Sequence, residues 1–315
     1  MIEYNRKSWW KNTFSWHGTA VRIAGRRILI IIVYALLVQA IYEGAVDFGL
    51  FDDKHFLQLD PLGHTFVGSL VGFLIVFRMN ASNARYWEGR SHWGMIINTS
   101  RNLVRVGCEQ TDGGEELAGL VTGYVICLRR SLQGQRDMLE ADVYLSGDVC
   151  REAIRFGNPP TGVAAAISEW IHRYRRNGQL EPQMVRHMEQ LLSLLVDAQG
   201  GCEKIQKTPM PFAYVVMLKQ IILAYLLTLP LVLCERCGWW TPLLVGIVSL
   251  GLLGMEEASV EIEDPFGTEE NCLNLEALTL TIARDTGQLA DFAERRRRAA
   301  LAIPQPVVAQ AAIPQ

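Results

Sequence analysis

The sequence predicts an all-α membrane protein, and three observations carry that prediction. Apolar residues are gathered into four blocks, at 28–40, 62–77, 221–234 (with 209–218 just before it) and 239–255. The segments between the blocks alternate in charge. Outside the blocks, apolar residues recur at helical spacing with no competing strand-like alternation. Half of the 315 residues are hydrophobic, and the formal net charge is −3. With a pI near 6.1 the chain has no nucleic-acid footprint.

Several blocks are shorter than the roughly 20 residues that a lone helix needs to cross a bilayer. Short spans imply tilt, polar flanks that extend them, or walls buried against other subunits. Arg6, Lys7, Lys11, Arg22, Arg26 and Arg27 precede the first block. The next loop is acidic, with Glu43, Asp47, Asp52, Asp53 and Asp60 against Lys54, and basic residues return after the second block. The positive-inside rule then puts both termini and the middle of the chain in the cytoplasm, with two hairpins crossing the membrane. Residues 1–19 are polar and aromatic, lack an apolar core and a cleavage site, and so do not read as a signal peptide. A soluble helical protein with buried hairpins is the competing reading.

The chain divides by composition into six parts. Residues 1–25, with Trp9, Trp10, Trp16 and several bases, form an interfacial segment suited to lipid headgroups. Residues 26–78 form the first hairpin, 79–208 a cytosolic helical region, 209–257 the second hairpin and 258–294 a C-terminal helical region. From Arg295 onward an arginine run and an Ala/Pro/Gln tail are expected to be disordered. Within the cytosolic region, residues 115–132 predict a helix, and 158–162 and 175–178 predict turns. Pro182 suits a first helical turn, followed by an apolar stripe at Met184, Met188, Leu191, Leu192 and Leu195. Pro265 to Gly267 should stop the helix of the fourth block.

No Gly-rich phosphate loop, His-Glu-x-x-His pattern or nucleophile elbow is present, so no enzyme is predicted. The six histidines are scattered. His64, with Thr65 beside it, stands at the outer mouth of the second block, where it lines a vestibule or is an interfacial residue of no special role. Cys234 and Cys237 have redox spacing but no second ligand pair, and read as two unpaired thiols at a helix end or as a loop disulfide in an oxidising compartment. Glu261, Asp264 and Glu269 are weak candidates for a divalent cation, because carboxylates are hard oxygen donors, yet their spacing is not that of an EF-hand loop. Lys219, between two apolar runs, should mark the cytoplasmic start of the third span.

The second block runs without a helix breaker into Arg78, Arg85, Glu88 and Arg90, so one helix can traverse both. Along it Thr65, Ser69, Phe73 and Phe77 fall at i, i+4, i+8 and i+12 on one slowly drifting face. That face is polar at its first end and aromatic at its last, a layout a pore wall can use and ordinary membrane packing can also produce. Gly68 and Gly72 would let the same helix approach a neighbour. By composition alone, the charged ladder after it reads as a solvated face.

Two segments carry a family resemblance. Residues 77–90, with Phe77, Arg78, Asn80, Arg85, Trp87, Glu88 and Arg90, followed by Trp93 and Gly94, resemble the signature after the second span of bestrophins. Residues 263–271, with Asp264, Pro265, Phe266 and Gly267, resemble their motif after the fourth span, and 200–203 with 208–212 resemble the prokaryotic branch. The resemblance covers roughly residues 9–289. It implies a homopentameric ion channel, four transmembrane helices per subunit and a helical cytosolic portion, around one central pore. Ser69, Phe73 and Phe77 fall on the neck positions, with Ser69 where the family usually has an aliphatic residue. The cytosolic aperture falls at Gln183 or Met184. The animal members' calcium clasp ends here in Glu269-Glu270-Asn271-Cys272, a thiol replacing the last carboxylate, so calcium is doubtful and no cofactor is expected. The expected function is passive flux of small monovalent ions through an inner membrane, chloride by general resemblance or a cation such as sodium by the prokaryotic branch, with the neck as a hydrophobic gate. A secondary transporter and a non-conducting membrane scaffold are the rivals.

Overall fold

The computed structural model describes residues 7–15, 18–49, 59–135 and 137–302. Trp16, the loop charges Asp52, Asp53 and Lys54, Arg6 and the tail beyond residue 302 lie outside the described residues. Every regular element among those described is helical: α1 (Trp9–Thr13), α2 (Ala20–Asp47), α3 (Pro61–Gln110), α4 (Gly114–Leu132), α5 (Gly147–Arg155), α6 (Pro159–Arg176), α7 (Pro182–Lys207), α8 (Phe212–Cys237), a 3-10 turn (Gly238–Trp240), α9 (Thr241–Glu263) and α10 (Leu275–Ala302).

Two compact units share the chain. The first comprises Met1–Arg90 and Lys204–Leu273, the second Ser91–Glu203 and Asn274–Gln315. α3 is a single helix of 50 residues, so the apolar block and the charged ladder are indeed continuous. Pro61 at its first turn costs nothing, since the N–H it lacks would have no intrahelical partner.

In the first unit, α2, the start of α3, α8 and α9 pack about one apolar cluster. Ile31 and Ala35 meet Val71, Ile75, Leu218, Ile222, Leu226, Leu229 and Val245. Among the described residues three segments are long and apolar enough to cross a membrane, the third of which folds back as α8 and α9. Most of their apolar surface faces outward, as helices solvated by lipid require. The 3-10 turn carries exposed Trp239 and Trp240 at the hairpin tip, and exposed Trp9 and Trp10 sit on α1, amphipathic rings suited to a headgroup zone. Gly68 lets α3 approach α8, because a Cβ there would lie 2.8 Å from the Tyr225 hydroxyl, whereas Gly72 faces open space. Cys234 and Cys237 are both free thiols at the end of α8.

In the second unit α4 packs on α6 and α10, and α5 on α6. Tyr124 of α4 is buried, its single hydroxyl proton shared between two acceptors on α7, the Gln199 side-chain oxygen at 2.9 Å and the Leu195 carbonyl at 3.1 Å. The stripe on α7 is buried at Met188, Leu191, Leu192 and Leu195. Two expectations need correction. Asn158 to Gly162 is no free-standing turn, because Asn158 is the N-cap of α6 and Pro159 opens the helix. The arginine run at 295–298 belongs to α10, which continues to Ala302. Glu294 pairs with Arg298 four residues on, and Arg297 reaches the Thr111 carbonyl, so the charges have partners that hold the run helical.

Candidate functional site

α3 has two faces over its first unit. Val71, Ile75, Arg78, Ser82 and Gly89 are buried, at spacings of three, four and seven that keep one side of the helix inward. Ser69, Phe73 and Phe77 lie on the other side and are exposed, the two phenylalanines by 66% and 63%. Thr65 and Asn80 are exposed along with them. No charge falls on this exposed side from Leu62 to Phe77. The two hydroxyls bond within their own helix: Thr65 donates to the Pro61 carbonyl at 2.8 Å and Ser69 to the Thr65 carbonyl at 3.0 Å. Each hydroxyl therefore presents oxygen lone pairs outward while its proton points back at the backbone.

His64 belongs to a different face. Its ring stacks on Tyr225 with centroids 4.3 Å apart, and Nε2 lies 3.1 Å from the Thr228 hydroxyl, so it is half-buried against α8. In the second unit, Gln183 is exposed and Met184 half-buried in the first turn of α7.

The two signature segments form one clamp. Arg78 is 1% exposed, with ion pairs to Glu256 at 3.8 Å and Glu263 at 3.5 Å. One turn later Ser82 meets Ser259 at 2.9 Å. Arg85 gives three hydrogen bonds to carbonyls, those of Glu263 (3.0 Å), Thr208 (2.7 Å) and Ile205 (2.7 Å). Glu88 pairs with Lys204 at 2.8 Å. Gly89 has no room for a side chain, since a Cβ would lie 2.9 Å from Pro265 and 3.0 Å from the Phe266 ring. Phe266 is wholly buried there, its N–H bonded to the Asp264 carboxylate. Trp87 is exposed beside Tyr86, and Arg90 is half-buried. Taken as a solvated face from composition, the ladder instead turns Arg78 and Arg85 inward, while the Glu88–Lys204 pair stays at the surface. The roles of Ser82, Gly89, Glu256 and Ser259 in this clamp were not drawn from the sequence. The seven-residue register from Arg78 to Arg85 was the available signal.

Glu261, Asp264 and Glu269 line a cleft of about 460 Å³ together with Glu257 and Cys272. Among the described residues no three His, Cys, Asp or Glu side chains converge as a metal site. Asp264 is engaged by the Phe266 N–H, and Glu263 accepts the Met210 N–H. Burial pushes the Cys272 thiol up to about 11, so at neutral pH it is protonated and donates toward the Asp264 carbonyl at 3.3 Å. A protonated thiol is no ligand for a hard cation.

These features define a helical membrane protein whose two distant signature segments close into one buried clamp. The chain belongs to the bacterial and fungal bestrophin family, whose model matches residues 1–288. It is 30% identical over 300 residues, 93% of this chain and 95% of the relative, to a voltage-dependent anion channel-forming protein of Nostoc sp.. It is 29% identical over 297 residues, 93% of this chain and 95% of the relative, to the voltage-dependent anion channel-forming protein YneE of Escherichia coli K12. Its fold is similar to that of a bestrophin homolog from Klebsiella pneumoniae, with a TM-score of 0.77 and 24% identity over 84% of this chain and 97% of that one.

Proposed function

We propose that the protein is a passive channel for small monovalent anions in an inner membrane, assembled from five copies around one pore. In this reading α2, the first part of α3, α8 and α9 each cross the bilayer, and both termini lie in the cytoplasm. The observation that carries it is the exposed, uncharged stripe of Ser69, Phe73 and Phe77, on a helix whose opposite face is held by the apolar cluster and the Arg78–Arg85 clamp. Five copies of the stripe would make a ring of hydroxyls followed by two rings of aromatic side chains. Apolar constrictions gate by dewetting, and aromatic edges turned to the lumen offer positive potential to an anion. The names of the Nostoc and Escherichia relatives favour anions over cations. Gln183 and Met184 are the proposed cytosolic aperture, and no resident calcium is invoked.

The test is a reversal potential after reconstitution in liposomes under a tenfold potassium chloride gradient. A current reversing near the chloride equilibrium potential is expected. Reversal near the potassium potential would overturn the anion assignment. Saturable coupled flux would favour a transporter, and the absence of current a scaffold.

A further inference from the structure

We propose that a groove between α2 and α8 binds one anionic membrane phospholipid per chain, the head phosphate on Arg27 and Lys219 and an acyl chain along the groove floor. The groove is a cleft of about 300 Å³ within the first unit. Its polarity is the same on all three helices that wall it. On α2, Arg27 precedes Ile30 by one turn. On α8, Lys219 precedes Leu223 by one turn and Leu226 by two, and on α9 Leu253 leads to Glu256 in the antiparallel sense. All the charge therefore collects at one end, and from Lys219 to Leu226 the floor is apolar for roughly 10 Å at 1.5 Å per residue.

The charge at that end is not balanced at the surface. Arg27 and Lys219 are about half exposed, at 48% and 51%, while Glu256 is 3% exposed. Glu256 gathers Arg27, Lys219 and buried Arg78 within 3.5–3.8 Å, and Glu257, also sunk, takes the other side of Arg27 at 2.6 Å. What the mouth presents outward is two cations above an apolar slot. A phosphate with a hydrocarbon tail matches that sequence of polar and apolar surface, with each cation near an anionic headgroup contributing attraction. A soluble anion would leave the slot empty, and a neighbouring protein helix would need apolar surface where the cations stand. The proposal depends on membrane embedding and stands whether or not the chain conducts.

The protein is extracted from vesicles of equal phosphatidylglycerol and phosphatidylcholine, and retained lipid is read by native mass spectrometry. Wild type is expected to keep about one phosphatidylglycerol per chain, preferred over phosphatidylcholine by roughly fivefold for each cation. Lys219→Gln should lower that preference with helical content unchanged by circular dichroism. Leu223→Trp, at an exposed groove position that tolerates bulk, should fill the slot and abolish retention of both lipids. Equal retention of the two lipids by wild type overturns the proposal. So does a preference left undiminished by Lys219→Gln, or retention unaffected by Leu223→Trp. Loss of oligomer without loss of lipid in Leu223→Trp would assign the groove to a second copy of the chain, and also overturns it.

Discussion

Phe73 and Phe77 have most of their ring surface outside the fold, so their removal should cost the subunit little packing energy. Phe73→Ala with Phe77→Ala is expected to raise single-channel conductance and shorten closures while leaving the melting temperature of the detergent-solubilised protein nearly unchanged. Unchanged currents would remove this face of α3 from the pore. Ser69 sits at the same register, but its proton is already given to the Thr65 carbonyl. Ser69→Leu should therefore act through wetting, lowering open probability in single-channel records. Arg85 is the opposite case, a side chain with a structural duty and three carbonyl acceptors. Hydrogen bonds to a charged group contribute about 1.5–3 kcal/mol each, so Arg85→Ala should cost roughly 3 kcal/mol or more. Arg85→Lys should recover only part, since a single ammonium lacks the planar fork. Thermal unfolding of the purified variants checks both.

At the scale of elements, the close contact between α3 and the 264–267 loop turns on Gly89. Gly89→Ala drives a methyl into Pro265 and Phe266 and should destabilise by about 1–3 kcal/mol. The same change at Gly72, which faces open space, should have no such effect. In the second unit α3 and α10 are pinned by Arg101 on Asp285, with Arg284 alongside. Burial alone would raise the Asp285 carboxyl, but hydrogen bonds from Arg101 and Arg284 outweigh it and hold the group below the ordinary carboxylate value. A depressed folded-state value adds stability at pH above the unfolded carboxylate range, lost as the pH falls through the folded-state value. Asp285→Asn should thus be less stable than wild type at pH 7, with the difference vanishing in acid. A melting-temperature gap that persists undiminished below that range would refute the linkage.

At the scale of the molecule, the apolar blocks, the start of α7 at Pro182 and the stop before Pro265 were legible because each depends on neighbours along the chain. The stripe on α3 was legible for the same reason, as helical spacing is a local property. The inward role of Arg78 and Arg85 was not, because their partners lie far away in sequence and no spacing rule names them. The contacts of His64 were hidden in the same way: its position left a vestibule or an interfacial place open, and only the approach of α8 brings Tyr225 and Thr228 to it. The helical arginine run was hidden by composition, since like charges read as disorder until Glu294 and the Thr111 carbonyl are placed beside them. The acidic stretch at 256–270 read as a possible cation site, yet Glu256, Glu257 and Glu263 pair with basic side chains and Asp264 accepts a backbone N–H. Conduction is accordingly expected to be indifferent to calcium between chelator and millimolar levels, measured as macroscopic current in the same liposomes. A calcium-dependent current would show that the cleft around Asp264 reorganises to bind it.

The clamp also orders the making of the protein in time. Arg85 finds its acceptors 120 residues downstream at Ile205 and 178 residues downstream at Glu263. At about 5–20 residues per second, a ribosome needs roughly 10–35 s to supply the later one. In the proposed topology the first hairpin enters the membrane during that interval, with the cationic half of α3 still unmatched. The Arg85 clamp can close only when the end of α9 has been made. Chains halted before residue 256 should therefore be quality-control substrates, cleared faster than chains halted after residue 273.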